Sequence, residues 1–292
     1  MYLKTKNPFP LFLGLVAAVV IGLFAVSTFG GAATVQPQAS QTAPSLPLGV
    51  YLSHPIVRAS TGPVTNAITA EGSYNWGGYA VSASAGTGTS VSGSWVVPKD
   101  SEKTCPATTW HASVTWVGID GLAPTSTTVE QIGTATQCYE GSVQYFAWYE
   151  FYPNPSVVIS TVPVSAGNSI TAQVSYSSGL FTVSIKDTTT GASYTGTPTA
   201  VTGATESSAE WITESPFGAI GELPLVHFST VKFTGATATI SGITGNIGSF
   251  SNVYSITMVD FPAATPNKAT VTALASSGSA FSVKWVSAGP YG

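Results

Sequence analysis

The chain has 292 residues, of which 43% are hydrophobic and only 8% are charged, against about 25% charged in an average soluble protein. Nine Lys and Arg against 13 Asp and Glu leave a net charge of −4, which excludes a basic surface for neutralising phosphates and so argues against nucleic acid as a partner. Low charge with 11% aromatic residues also excludes a solvated, disordered chain.

In chain order, Lys4 and Lys6 open a short basic start, and an apolar stretch follows from Pro10 to Ala33. This is the layout of a secretory signal, while the apolar core is also long enough to span a bilayer as an uncleaved anchor. Residues 1–33 are therefore read as a signal peptide or N-terminal membrane anchor, with the remainder secreted or held on the outer face of the membrane. Residues 34–72 are rich in Pro, Ser, Thr and Ala and carry little charge, a composition that marks a pro-segment or linker. Arg58, the only arginine of the chain, lies within them.

From residue 73 to 292 the texture becomes short alternating apolar runs separated by Gly, Ser, Thr and Asn. Runs at 90–98, 111–120, 144–153, 169–178, 180–189, 208–216, 253–261 and 280–288 read as strands, and Ser178-Gly179 and Thr190-Gly191 read as turns. No sustained helical periodicity occurs beyond the N-terminal segment. The expected fold is all-β: one antiparallel, two-sheet β-sandwich of jelly-roll, concanavalin-like type. Nothing points beyond a monomer.

All 13 acids lie from Glu71 onward, against six lysines. A domain with few ion-paired carboxylates has little stability to lose as pH falls, which suits an acidic workplace. An ordinary Ser/Thr/Gly-rich secreted β-protein would have the same composition. Two cysteines, Cys105 and Cys138, are most simply one disulfide in an oxidising compartment. Closing a loop of this length would stabilise the fold by about 3–4 kcal/mol. His54, His111 and His227 are scattered without metal-ligand spacing, so no metal is expected.

The motifs for a nucleophilic serine elbow, a zinc-binding HExxH and a phosphate-binding loop are absent. The four aspartates do not sit in Asp-Thr/Ser-Gly settings, so a pair of aspartates sharing one proton is not supported either. What remains is a small pool of glutamates beside aromatic clusters, where desolvation raises a carboxyl pKa toward general acid or base use.

Six strings occur in order: YNWGGYAV (74–81), GSWVVP (93–98), WVGIDG (116–121), VEQIGT (129–134), YFAWYEFYP (145–153) and AEWITESPF (209–217). Together they resemble the glutamic peptidases, or eqolisins, over roughly residues 73–286. The resemblance implies an endopeptidase that acts in acid on polypeptide substrates, without a cofactor, through a Glu/Gln dyad. By motif, Glu214 is the general base that activates water, and Gln131 stabilises the tetrahedral oxyanion. Trp76, Trp116, Asp120, Trp148 and Glu150 would line or brace the cleft.

Period-two alternation puts Val129, Gln131 and Gly133 on one strand face, and Glu210, Ile212 and Glu214 on another. Glu210 is thus a second candidate for the base. Pro-segments of this family tend to be basic, whereas residues 34–70 carry only Arg58, so inhibition by charge pairing is not expected. The rival readings are a lectin-like sandwich that binds glycans, with a glycosidase variant using Glu150 and Glu214, and a purely structural adhesion module.

Overall fold

The computed structural model describes residues 54–65, 67–100, 109–218, 221–260 and 267–289. The expected signal or anchor at 1–33, the segment up to residue 53, and Cys105 with its expected pairing all lie outside the described residues. In chain order the strands are β1 (Arg58–Thr65), β2 (Ile68–Ser73), β3 (Trp76–Ser82), β4 (Gly88–Val96), β5 (His111–Ile119), β6 (Val129–Tyr139) and β7 (Ser142–Tyr152). They continue with β8 (Val157–Pro163), β9 (Ser169–Ser177), β10 (Leu180–Asp187), β11 (Ser193–Thr195), β12 (Ser208–Glu214), β13 (Phe217–Gly218) and β14 (Gly221–Glu222). The last are β15 (Val231–Ile240), β16 (Ile243–Asn246), β17 (Val253–Val259), β18 (Asn267–Val271) and β19 (Phe281–Trp285). Among the described residues the only helical element is one 3-10 turn, Ile247–Ser249.

Hydrogen bonding runs β8-β7-β6-β5-β12-β3-β17-β2-β1 through one layer. The second layer runs β19-β15-β4-β9-β10-β11, and β18 joins it to β17 of the first. The result is an all-β, nearly closed barrel or sandwich. All eight runs read as strands are strands. The turn at Ser178-Gly179 has positive φ at both residues, 53° and 82°, the geometry that joins two strands by a two-residue hairpin.

Two features differ from the expectation. The pairing of β2 with β17 is parallel, in a fold expected to be antiparallel throughout. β1 and β2 themselves lie inside the segment read as pro-segment or linker. Their composition is turn-like, and β1 is mostly exposed. Their order comes from β17, a partner remote in sequence, and from the Arg58–Glu71 ion pair (2.7 Å) that ties β1 to β2.

The main core lies between the layers. Tyr79, Val117, Ile119, Ile132, Ala209 and Trp211 of the first meet Val91, Trp95, Val174, Phe181, Phe233 and Val283 of the second. The opposite face of the first layer carries its own apolar patch, with Trp76, Val114, Trp116, Val129, Trp148 and Ile212. Strands β5 and β12 are consequently buried on both faces along their whole length, while β9 and β10 alternate between buried and exposed positions. A polar side chain on β5, β6 or β12 is thus held away from water, which is costly unless it is bonded or used.

Candidate active site

Strand register places the candidate residues. Across β12, β5, β6 and β7, Glu210, Gly118, Gln131 and Glu150 lie side by side as direct pairs. The next row on the same face is Ile212, Trp116, Gly133 and Trp148, and the row beyond it is Glu214, Val114, Ala135 and Phe146. Trp76 on β3 pairs with Glu214 from the other side. Gln131, Glu150, Glu210, Glu214, Trp76, Trp116 and Trp148 therefore share one sheet face, and all are completely buried.

Gln131 and Glu214 are not adjacent on that face, because the indole of Trp116 lies between their rows. Two glycines let it lie there. A Cβ on Gly133 would come within 2.2 Å of the Thr115 carbonyl oxygen and 2.7 Å of Trp116 Cβ; one on Gly118 would meet the Trp116 ring at 2.7 Å. The ring reaches over Gly118 toward Gln131, and its Nε1 donates to Glu214 Oε2 at 3.0 Å. The Trp76 ring packs edge-on against Trp116, centroids 5.1 Å apart.

Glu214 accepts two further hydrogen bonds on Oε1, from Asn75 Nδ2 at 3.1 Å and from the His54 backbone N–H at 3.0 Å. Three donors converging on one carboxyl favour its ionised form. Buried Lys268, ion-paired with Glu222 of β14, interacts electrostatically with Glu214 as well. Gln131 contrasts with this: among the described residues neither its Oε1 nor its Nε2 has a hydrogen-bond partner. Glu210 is pushed well above the ordinary carboxyl value of 4.5, first by burial and then by repulsion from Asp120 and Glu130.

The remaining expected residues divide. Trp148 lies in the patch, and its Nε1 has no partner among the described residues. Glu150 pairs with Gln131 across the strands and accepts a hydrogen bond from the Ser156 hydroxyl. Asp120 braces. Its φ of 70° turns the chain after β5, and its carboxylate accepts the backbone N–H groups of Thr205, Glu206 and Ser207 at 2.7–2.9 Å, together with the hydroxyls of Thr205 and Ser207. That fixes the loop leading into β12. Cys138, the last residue but one of β6, alternates to the other face of the sheet, opposite His111.

Asn75 and His54 were not legible as site residues. Asn75 stands in the YNWGGYAV string, where a polar residue beside a strand reads as a turn. His54 approaches Glu214 across 160 positions of sequence.

Comparisons with known proteins bear on the family and the fold. Aspergillopepsin-2 of Aspergillus niger is 38% identical over 158 residues, which span 52% of this chain and about half, 52%, of that relative. The crystal structure of scytalido-glutamic peptidase with a transition state analog inhibitor superposes with a TM-score of 0.60 at 26% identity, covering 73% of this chain and 98% of that one. SCP-B, an eqolisin solved in complex with the tripeptide Ala-Ile-His, matches in fold with a TM-score of 0.58 at 24% identity over 73% of this chain and 98% of its own. The Peptidase A4 family matches residues 74–285, and the chain belongs to that family.

Proposed function

We propose that this protein is a glutamic endopeptidase that hydrolyses peptide bonds in acid, with Glu214 as general base and Gln131 as oxyanion donor. One observation carries the reading: a fully buried carboxyl held by three donors shares a sheet face with a fully buried amide that has no partner among the described residues. A buried, unbonded amide costs about 1–3 kcal/mol, and such costs are tolerated where the group serves chemistry.

The steps follow from the group types. Glu214 takes a proton from water as the water oxygen attacks the scissile carbonyl carbon. The Gln131 Nε2–H donates to the oxygen on which negative charge develops, and an amide does not titrate in acid. As the C–N bond breaks, Glu214 returns its proton to the leaving amine. Glu210 lies nearer to Gln131 in register, but burial pushes its carboxyl well above the ordinary value, which favours the protonated form, and a protonated acid cannot act as base. The jelly-roll winding, residues 1–33 as signal peptide or membrane anchor, residues 34–72 as pro-segment or linker, and the Cys105–Cys138 disulfide complete the proposal on the strength of the sequence.

The test is digestion of an acid-unfolded protein by the full chain, after incubation at about pH 3, where a carboxylate base is partly ionised. Glu214→Gln should lower cleavage about 10³-fold or more and Gln131→Ala about 10²-fold, while Glu210→Gln stays within about tenfold of wild type. Cleavage surviving in Glu214→Gln but lost in Glu210→Gln would move the base to Glu210. Glycan hydrolysis that tolerates Gln131→Ala would favour the lectin-like reading.

A further inference from the structure

The chain that follows Glu214 leads to a second buried cluster of charge, which the proposed reaction leaves unused. Ser215 donates its N–H to the Asn75 carbonyl at 2.9 Å and its hydroxyl to the Leu223 carbonyl at 2.7 Å, so β13 and β14 are folded back beside Glu214. On β14, Glu222 is ion-paired with Lys268 of β18. The lysine side chain is 1% exposed and that of its partner 13%. The Lys268 carbonyl accepts from the N–H groups of Val286 and Ser287 at 2.8 and 3.1 Å, which holds the start of β18 in place. Its stem is packed under Gly289, where a Cβ would come within 2.8 Å of Lys268 Cδ. Burying an ammonium so completely is costly unless its charge is matched or used.

We propose that Lys268 is a positioning residue that acts through Glu214: Glu222 matches its ammonium at neutral pH and gives it up in acid, where it becomes the counter-charge of Glu214. The inference rests on the reading of Glu214 as the base. Lys268 interacts electrostatically with Glu222, with Asp260 just after β17, and with Glu214. On the other side of Glu214 stands His54, and Glu210 lies two rows away on the same strand face. Burial raises the Glu222 carboxyl above its ordinary 4.5 in spite of the lysine beside it, so acid neutralises it early. Buried lysines titrate no lower than about 5–6, so at about pH 3 Lys268 is still a cation. Acid thus removes the negative charge of the pair and leaves the positive one. Of the two other carboxyls in reach, Asp260 has an Oδ1 without a partner among the described residues, whereas three donors already hold Glu214 in its ionised form. A positive charge near a buried carboxyl favours ionisation, which a base working in acid needs.

The test compares Lys268→Met, which keeps the buried stem and removes the charge, with Glu222→Gln, which breaks the ion pair and leaves the charge. The full chain is isotopically labelled at the glutamate side-chain carboxyl carbon, and the NMR signal of Glu214 is identified by its loss in Glu214→Gln. In Lys268→Met the titration midpoint of that signal should rise by about one pH unit. The acid limb of the pH–rate profile should move with it, so that kcat falls about tenfold at the acid end and the loss fades as pH rises. In Glu222→Gln the Glu214 midpoint should keep its wild-type value, because the carboxyl replaced is already neutral in acid. Lys268→Gln, which retains a donor for Glu222, takes the place of the Met variant if that one does not fold. An ion pair that only clamps the fold is broken equally by either change. Midpoints that move alike in the two variants, or a Lys268→Met midpoint equal to that of wild type, would therefore overturn the proposal. Cleavage surviving in Glu214→Gln, with the midpoint still raised in Lys268→Met, would uphold the charge pairing and sink the reading of Glu214 as base instead.

Discussion

Glu214 takes donors from three distant stretches of chain, His54, Asn75 and Trp116, and none of the three bonds needs a titrating partner in acid. The indole bond is the one that can be removed with least change of shape. Trp116→Phe keeps the aromatic wall but deletes the Nε1 donor to Oε2. A hydrogen bond to a charged group contributes about 1.5–3 kcal/mol, so kcat should fall by roughly tenfold or more. The lost donor stabilised the ionised carboxyl, so the acid limb of the pH–rate profile should move to higher pH. Steady-state kinetics across the acid range would check both. A profile that kept its shape while the rate dropped would mean that Trp116 only packs.

At the scale of the strand, β6 passes Trp116 so closely that position 133 has no room for a side chain. Gly133→Ala would drive a methyl against the backbone oxygen of Thr115 as well as the Trp116 side chain, and backbone cannot turn aside as a side chain does. The expected loss is at least about 3 kcal/mol, at the upper end for overpacking, read as a lowered denaturant midpoint. Gly118→Ala meets the edge of the Trp116 ring at 2.7 Å and the Gln131 Cβ at 3.2 Å, side chains and not backbone, so it should lower activity more than stability. A neutral Gly133→Ala would show that β5 and β6 separate more easily than their register suggests. The eight strand runs were legible because period-two alternation and Gly-containing turns are local signals. β1 and β2 were not, since their order depends on partners that the local pattern does not reveal: β17, and the ion pair of Arg58 with Glu71.

For the whole molecule, the sparse acids matter less by their number than by where they sit. Burial, and then repulsion from Asp120, pushes Glu130 well above its ordinary 4.5, as burial does Glu210. An acid whose folded pKa is raised holds its proton more tightly in the folded than in the unfolded chain. Its contribution to stability is therefore full below the unfolded value of about 4.5 and is lost as pH rises toward the folded one. The protein should have a higher Tm near pH 3 than near pH 7. Glu210→Gln, isosteric and uncharged, should flatten that dependence by lifting the neutral end. Calorimetry across this range decides it: a Tm that rises toward neutral pH in both proteins would contradict the assignment. Fewness of acids alone had suggested acid tolerance, and their burial adds a cost on the neutral side.

The sequence by itself determined the class of fold, the six ordered strings that carry the family resemblance, and the two residue types proposed for the chemistry, because these depend on local pattern and motif order. It also put Gln131 and Glu214 each on a definite strand face. Only the tertiary structure decided that those faces are the same face, that the Trp116 indole lies between the two residues, that Asp120 ties a loop instead of lining the cleft, and that His54 reaches Glu214. Each of these depends on pairing between strands far apart in the chain, and register across a sheet is set by the packing of the whole core.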